Sequence, residues 1–411
     1  MRIRRLAVLL LSFIFILCGC NNGDLKTSNK HKQLTTKQKV EDFEYLYTIL
    51  KENYPYFQLN KRANNVDWLS NKEKYEKAIK ETKSDEEFFN CVKEALKDLH
   101  NGHINILNSE GYFLFKDVFK NIPPPNQTLD ILTDKRAVER YGETQTNKEE
   151  DSQFNADHST KDNVTTTIVE KDKTAYLGVK SFNNINMNNE EFDTIYKFFK
   201  DIKDYKTLII DIRGNGGGNE SYWRDYIVKP LINEPLMQKN YCIFRGGSYT
   251  QNILKSTFEN SYDSMILPID ILKGENLSKL PPETFTDFKY YLKNIDIISP
   301  NGPVGFKGKI YLLVDERVYS SSEGFAIFAK STGFATVVGE KTGGDGIGIS
   351  PALGVLPNSG YVFRYPQEMG LKSDGSSDEE FKTEPDIKVD ATRSSNLMED
   401  TAVKKVLELT K

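Results

Sequence analysis

The chain has 411 residues, with 55 Lys and Arg against 59 Asp and Glu and a formal net charge of −4. Charged residues make up 28% of it and are dispersed, with no basic block interleaved with aromatics, which argues against nucleic acid as a partner. The length exceeds what one compact core needs.

Arg2, Arg4 and Arg5 form a basic n-region, and the apolar run Leu6 to Leu17 is too short to span a bilayer comfortably. The following Leu17-Cys18-Gly19-Cys20 resembles a bacterial lipobox. Residues 1–19 are therefore expected to be a lipoprotein signal peptide, and Cys20 the lipidated N-terminus. An ordinary secretory signal or an uncleaved anchor is the alternative. The mature chain is expected at the extracytoplasmic face of the cell membrane, held there by lipid. Of the other cysteines, Cys91 and Cys242 remain, and spacing leaves open whether they pair. No Cys-x-x-Cys or His-x-x-x-His spacing occurs, and nothing points to a metal or an organic cofactor.

Residues 20–38 are polar and read as a tether. Residues 39–115 read as a small helical region. In it Val40, Phe43, Leu46, Tyr47 and Leu50 recur at helical spacing, and Ser84 caps a helix whose face carries Phe88, Val92, Ala95 and Leu96. It ends in His100-Asn101-Gly102-His103-Ile104, which holds two of the four histidines; His31 lies in the tether and His158 in a polar loop. Residues 116–164 read as a variable polar loop. Order resumes with an apolar strand pair around 165–179, a helix from Glu191, and the buried strand Thr207-Leu208-Ile209-Ile210-Asp211-Ile212. Strands alternating with helices predict an α/β core across 165–395. Residues 241–303 read as an irregular aromatic insertion or lid, and 396–411 as a C-terminal helix.

The strand at 207–212 runs into Arg213-Gly214-Asn215-Gly216-Gly217-Gly218. The spacing fits neither a dinucleotide fingerprint nor a P-loop. What remains is a plain tight turn, or one that brings backbone N–H groups close to a ligand, as an oxyanion hole requires. Further on, Ile310 to Val314 reads as a strand, and Phe325, Ala326, Phe328 and Ala329 follow at helical spacing. Ser320 thus stands where a strand turns into a helix. It either caps that helix, boxed with Glu323, or projects as a nucleophile.

Four segments together resemble the C-terminal-processing, or tail-specific, serine peptidases, a family that includes tricorn-like peptidases. Asp211-Ile212-Arg213-Gly214-Asn215-Gly216-Gly217-Gly218 resembles the family's Asp-Leu-Arg-x-Asn-x-Gly-Gly. Ser320-Ser321-Ser322-Glu323 resembles its Ser-Ala-x-Glu, Val338 to Gly344 its Val-x-Gly-Glu-x-Thr-x-Gly, and Glu384 to Val389 its closing Pro-Asp-x-x-Val. The resemblance implies a ClpP/crotonase-like spiral core carrying a small α-helical N-terminal region. It also implies a serine endopeptidase that cleaves peptides or unstructured protein tails. Ser320 would be the nucleophile, with Gly216, Gly217 and Ser321 supplying the oxyanion hole. In the Ser–Lys branch a lysine follows the Gly-Glu-x-Thr-x-Gly segment; Asp345 stands there, and Lys341 occupies only a variable position. The resemblance then points to the histidine branch, with His103 preferred over His100 as base and Glu379 or the adjacent Glu380 as orienting acid. The alternative is a catalytically silent protein on the same fold that binds peptides or hydrophobic ligands.

Overall fold

The computed structural model describes residues 33–120, 122, 126–143, 163–182 and 189–411. Cys20, the signal segment, His31 and His158 lie outside the described residues.

A six-stranded sheet forms the centre. Its order is Ile387–Lys388, Thr336–Gly339, Lys309–Val314, Thr207–Asp211, Thr174–Val179 and Val164–Glu170. All neighbours run parallel except the last pair, which is antiparallel. Parallel strands need both faces covered, and every residue of Thr174–Val179 and Thr207–Asp211 is buried. Alternation sorts their side chains. Leu208, Ile210 and Ile212 join Phe199, Trp223, Phe325 and Phe328 on one face. Ile209 joins Tyr311, Leu313 and Val338 beneath the C-terminal helix Thr401–Leu409 on the other.

The N-terminal helices Thr36–Asn53, Phe57–Asn64, Lys72–Glu81 and Asp85–Lys97 carry Phe43, Leu46, Phe88 and Val92 into a second core. The first helix starts inside the expected tether, because Thr35 and Gln38 form a reciprocal capping box. This core is shared with the region expected to be irregular. Leu236–Phe244 and Tyr290–Ile298 pair over nine positions as an antiparallel ribbon, and Tyr241, Ile243 and Tyr291 pack against the helices. The expected polar loop is also partly ordered. Helices Ser109–Phe119, Gln127–Leu132 and Lys135–Tyr141, capped by Asn108, Asn126 and Asp134, bury Phe115, Phe119, Leu132 and Tyr141. Residues 144–162 of that loop lie outside the described residues. Cys91 and Cys242 are both free thiols.

The Asp-x-Arg pair at the end of strand Thr207–Asp211 fastens the C-terminus. The buried Arg213 guanidinium donates to Asp211, to the Ala391 carbonyl and to Asp400, which caps the C-terminal helix.

Candidate active site

Strand Lys309–Val314 delivers the chain to Ser320, and helix Ser321–Thr332 leaves from it. Ser320 has φ 57° and ψ −127°, a conformation that L-residues adopt only under strain, at a cost of about 1–3 kcal/mol. This sharp reversal aims Oγ away from the helix. The side chain makes no capping bond, so of the two alternatives for Ser320 the box with Glu323 is absent. Glu323 instead accepts from Thr383 Oγ1 at 2.6 Å.

Ser320 Oγ lies 3.0 Å from His103 Nε2, and both residues are buried. His103 stands just before the short strand Asn105–Ile106, which pairs with Val362–Tyr365. Its backbone N–H donates to Asn101 Oδ1, so the Asn101-Gly102 turn sets where the imidazole points. His100, with φ 50°, ends its helix instead, and its Nδ1 lies 3.0 Å from the Asp98 carbonyl. The structure therefore places His103, and not His100, at the serine.

The other ring nitrogen, Nδ1, lies 2.7 Å from Asp345 Oδ2. Asp345 reaches it because Val318–Ser320 and the glycines before Asp345 run side by side. Gly343 N–H donates to the Val318 carbonyl at 2.7 Å, and Ser320 N–H to the Gly344 carbonyl at 3.1 Å. Three further donors hold the carboxylate: Tyr56 Oη, Tyr319 Oη and Asn101 Nδ2, each at 3.0 Å. Burial pushes the Asp345 carboxyl up, but the neighbouring His103 and these hydrogen bonds outweigh it and hold the group below its usual range. An ionised carboxylate only accepts. Nδ1 must then carry the proton, and Nε2 is left free to accept the Ser320 hydroxyl proton.

Glu379 and Glu380, expected as orienting acids, do not touch the imidazole. Glu379 Oε1 accepts from Asn101 Nδ2 at 3.2 Å, and its Oε2 has no partner among the described residues. Burial, followed by the charges of Asp345 and Asp378, pushes its carboxyl well above the usual range. A carboxyl held toward its neutral form is a poor counter-ion for an imidazolium. Glu380 pairs with Arg62, its Oε1 2.7 Å from Nε. The sequence did hold a signal for Asp345. It occupies the position from which a lysine would reach the serine directly, and a shorter acid there reaches the histidine instead. Lys341 pairs with Glu384 at 3.4 Å, away from the serine.

The oxyanion donors divide. A Cβ on Gly217, which has φ +108°, would fall 3.0 Å from both Ser320 Cβ and Ser321 N, so the glycine turn packs directly on the nucleophile. Gly217's own N–H, however, is spent on Asn215 Oδ1 at 3.0 Å. The same oxygen accepts from Ser322 Oγ at 2.7 Å, which makes Asn215 a clamp between turn and helix that sequence reasoning missed. The N–H groups of Gly216 and of Ser321, first in its helix, have no acceptor among the described residues.

Residues 173–389 match peptidase family S41, and residues 36–97 match the tricorn protease C1 domain. No curated protein matches the chain. A putative peptidase from Parabacteroides merdae is similar in structure, with a TM-score of 0.56 at 21% identity over 90% of this chain and 96% of that one. Mature CPAF complexed with lactacystin gives a TM-score of 0.55 at 14% identity, covering 87% and 94%. A lipoprotein from Streptococcus agalactiae gives 0.50 at 13%, covering 93% and 98%. At these identities the structures establish the shared fold, and the family match spans more than half of the sequence. The chain belongs to peptidase family S41 and is a serine peptidase.

Proposed function

We propose that this peptidase is an endopeptidase working through Ser320, His103 and Asp345 on peptides or unstructured protein tails. The observation that carries the reading is the continuous relay from Asp345 Oδ2 through both ring nitrogens of His103 to Ser320 Oγ. Ser320 attacks the scissile carbonyl as His103 Nε2 takes its proton. The imidazolium so formed is stabilised across the 2.7 Å contact by the Asp345 carboxylate, which stays ionised throughout. The negative oxygen of the tetrahedral intermediate is received by the Ser321 and Gly216 N–H groups. A single such donor is worth about 3–4 kcal/mol to a transition state. His103 then returns the proton to the leaving amine, and water repeats the sequence to free Ser320.

The tail preference is supported by the family to which the chain belongs. Tethering is supported by the lipobox-like Leu17-Cys18-Gly19-Cys20, with Cys20 as the lipidated residue. The deciding experiment compares wild type, Ser320→Ala and His103→Ala on denatured casein, together with labelling by a fluorophosphonate. Cleavage and labelling are expected of the wild type alone; equal cleavage by all three removes the reading. Metabolic labelling with a tagged fatty acid checks the tether, which fails if lipid is incorporated equally well after Cys20→Ala.

A further inference from the structure

One helical turn along from Ser320, at Gly324, lies a cavity of ≈ 60 Å³. Each of the three segments that meet at Ser320 continues into its wall. The glycine turn leads on to Glu220 and Trp223, the helix contributes Gly324, and the segment after Asp345 contributes Gly346 to Ile349. Gly324 is one helical turn from the nucleophile, its N–H donating to the Ser320 carbonyl at 2.9 Å. The seam is tight enough to require glycine. A Cβ on Gly346 would come within 2.3 Å of Gly324 N, and one on Gly324 would lie 3.5 Å from Glu220 Oε1. Phe258 and Leu292 line the cavity as apolar walls.

The charges in this cavity do not balance. Arg224 is committed to Asp296 in a two-pronged pair, its Nη2 donating to Oδ1 at 2.6 Å. Glu220 is 8% exposed, accepts no hydrogen bond among the described residues, and lies 4.0 Å from Arg224. Trp223 Nε1 also has no partner among the described residues. Burial pushes the Glu220 carboxyl up to about 8, Arg224 opposing and Asp296 adding to the shift. A buried carboxyl in this condition is costly, and an incoming cation that hydrogen-bonds to it removes the cost. Apolar walls at Phe258 and Leu292, beside an acid whose nearest cation is 4.0 Å away and bound to Asp296, match an aliphatic stem ending in a cationic head.

We infer that this cavity receives the lysine or arginine side chain of a substrate residue flanking the scissile bond, with Glu220 as its counter-charge. The inference rests on Ser320 being the attacking group, and names the substrate class of that site.

The test has a cleavage arm and a binding arm. Cut sites in a denatured protein are mapped by mass spectrometry. Synthetic peptides then carry lysine, norleucine or glutamine at the flanking position. For the wild type, kcat/KM with lysine should exceed that with norleucine by about tenfold or more. Glu220→Gln should erase this preference while cleaving the norleucine peptide at a rate within about threefold of wild type, which also shows that the variant folds. Ser320→Ala should bind the lysine peptide more tightly than the norleucine one, and the double variant with Glu220→Gln should not. Lysine preference that is absent, or survives Glu220→Gln, overturns the pocket while leaving the peptidase reading intact. A binding preference that persists with no cleavage by the wild type overturns the peptidase reading and leaves the pocket.

Discussion

Two clusters of buried charge lie at and beyond the C-terminal ends of the central parallel strands, and they are built on different rules. At Arg213 every charge is matched. Asp211 lies 2.7 Å from the guanidinium and Asp400 2.9 Å from it, while Arg393 and Tyr176 Oη close the remaining sides of Asp211. Behind Asp345, acids outnumber bases. Glu323, Asp378 and Glu368 are buried and Glu379 is half-buried, and each has one oxygen without a partner among the described residues. The first cluster joins the C-terminal helix to the sheet and faces no reacting group. The second surrounds a carboxylate that must remain the only full negative charge beside His103. Crowding achieves this. Burial, then the charges of Asp345 and Asp378, pushes Glu379 toward its protonated form, while His103 and the donors gathered on Asp345 hold that carboxyl below its ordinary range.

The largest break in the comparison is at the nucleophile, which both clusters leave untouched. Ser320→Ala should reduce kcat on a denatured substrate by about 10⁶-fold with the thermal midpoint changed little. Asp345→Asn comes next, at about 10⁴-fold. The amide can present a donor to Nδ1, which turns the imidazole to the wrong tautomer. Slowed fluorophosphonate labelling of Asp345→Asn, with Ser320 still present, would place the loss at the proton relay; unchanged labelling would contradict it.

Arg213→Met tests the matched cluster. It leaves Asp211 and Asp400 buried without their counter-ion, so unfolding in urea should show a loss of about 3–5 kcal/mol. Peptidase activity in the remaining folded fraction should be nearly normal, since no atom of Arg213 reaches Ser320. A stability close to that of the wild type would mean that the two aspartates find other partners.

These two regions also mark what could be read from sequence. The strand-and-helix core was legible because Leu208, Ile210 and Ile212 face one way and Ile209 the other, in a run bounded by a glycine turn. Ser320 and His103 were legible because their motifs are local. The acid at His103 was signalled only by Asp345 standing where a lysine would be expected, because it reaches His103 through the side-by-side pairing of residues 318–320 with 343–344, a long-range fact that no offset encodes. The ribbon Leu236–Phe244 with Tyr290–Ile298 was missed for a related reason. Its strands lack clean alternation, since one stretch packs on the N-terminal helices while Met237, Ile295 and Ile297 stay exposed. Helix Lys135–Tyr141 was hidden by its charge, although Asp134 gives it a cap and Ala137 and Tyr141 give it a buried side.

The pH dependence of stability separates the crowded acids behind Asp345 from Asp211 and Asp345 themselves by sign. Burial first, then Asp378, raises Glu323 from 4.5 to about 8, and burial raises Asp378 from 3.8 to about 6. Above the unfolded values the folded state holds protons that the unfolded chain has released, so stability falls as pH climbs from about 4.5 to about 8. Asp211 and Asp345 are held below their ordinary value, so the stability they contribute is present above it and lost as pH falls below about 4. A proton on Glu323 lets it donate to Asp378 and gives both orphan oxygens a partner. Glu323→Gln supplies that donor permanently and should flatten the loss between pH 4.5 and 8 in chemical unfolding, with the acid limb unchanged. A slope identical to that of the wild type would remove the acid pair as its source.

The smallest effect sharpens the comparison most. Glu379 is one Asn101 side chain away from Asp345, with Asn101 Nδ2 3.2 Å from one acid and 3.0 Å from the other. If Glu379 is already neutral, Glu379→Gln replaces one uncharged group by another of the same shape. It should change kcat/KM by less than about threefold, within the spread of conservative changes around a neutral buried group. The expected difference from Asp345→Asn, several thousandfold, sits between two carboxyls held by the same asparagine. A loss at Glu379→Gln comparable to that at Asp345→Asn would mean that Glu379 carries charge during turnover and that the two acids share the orienting role.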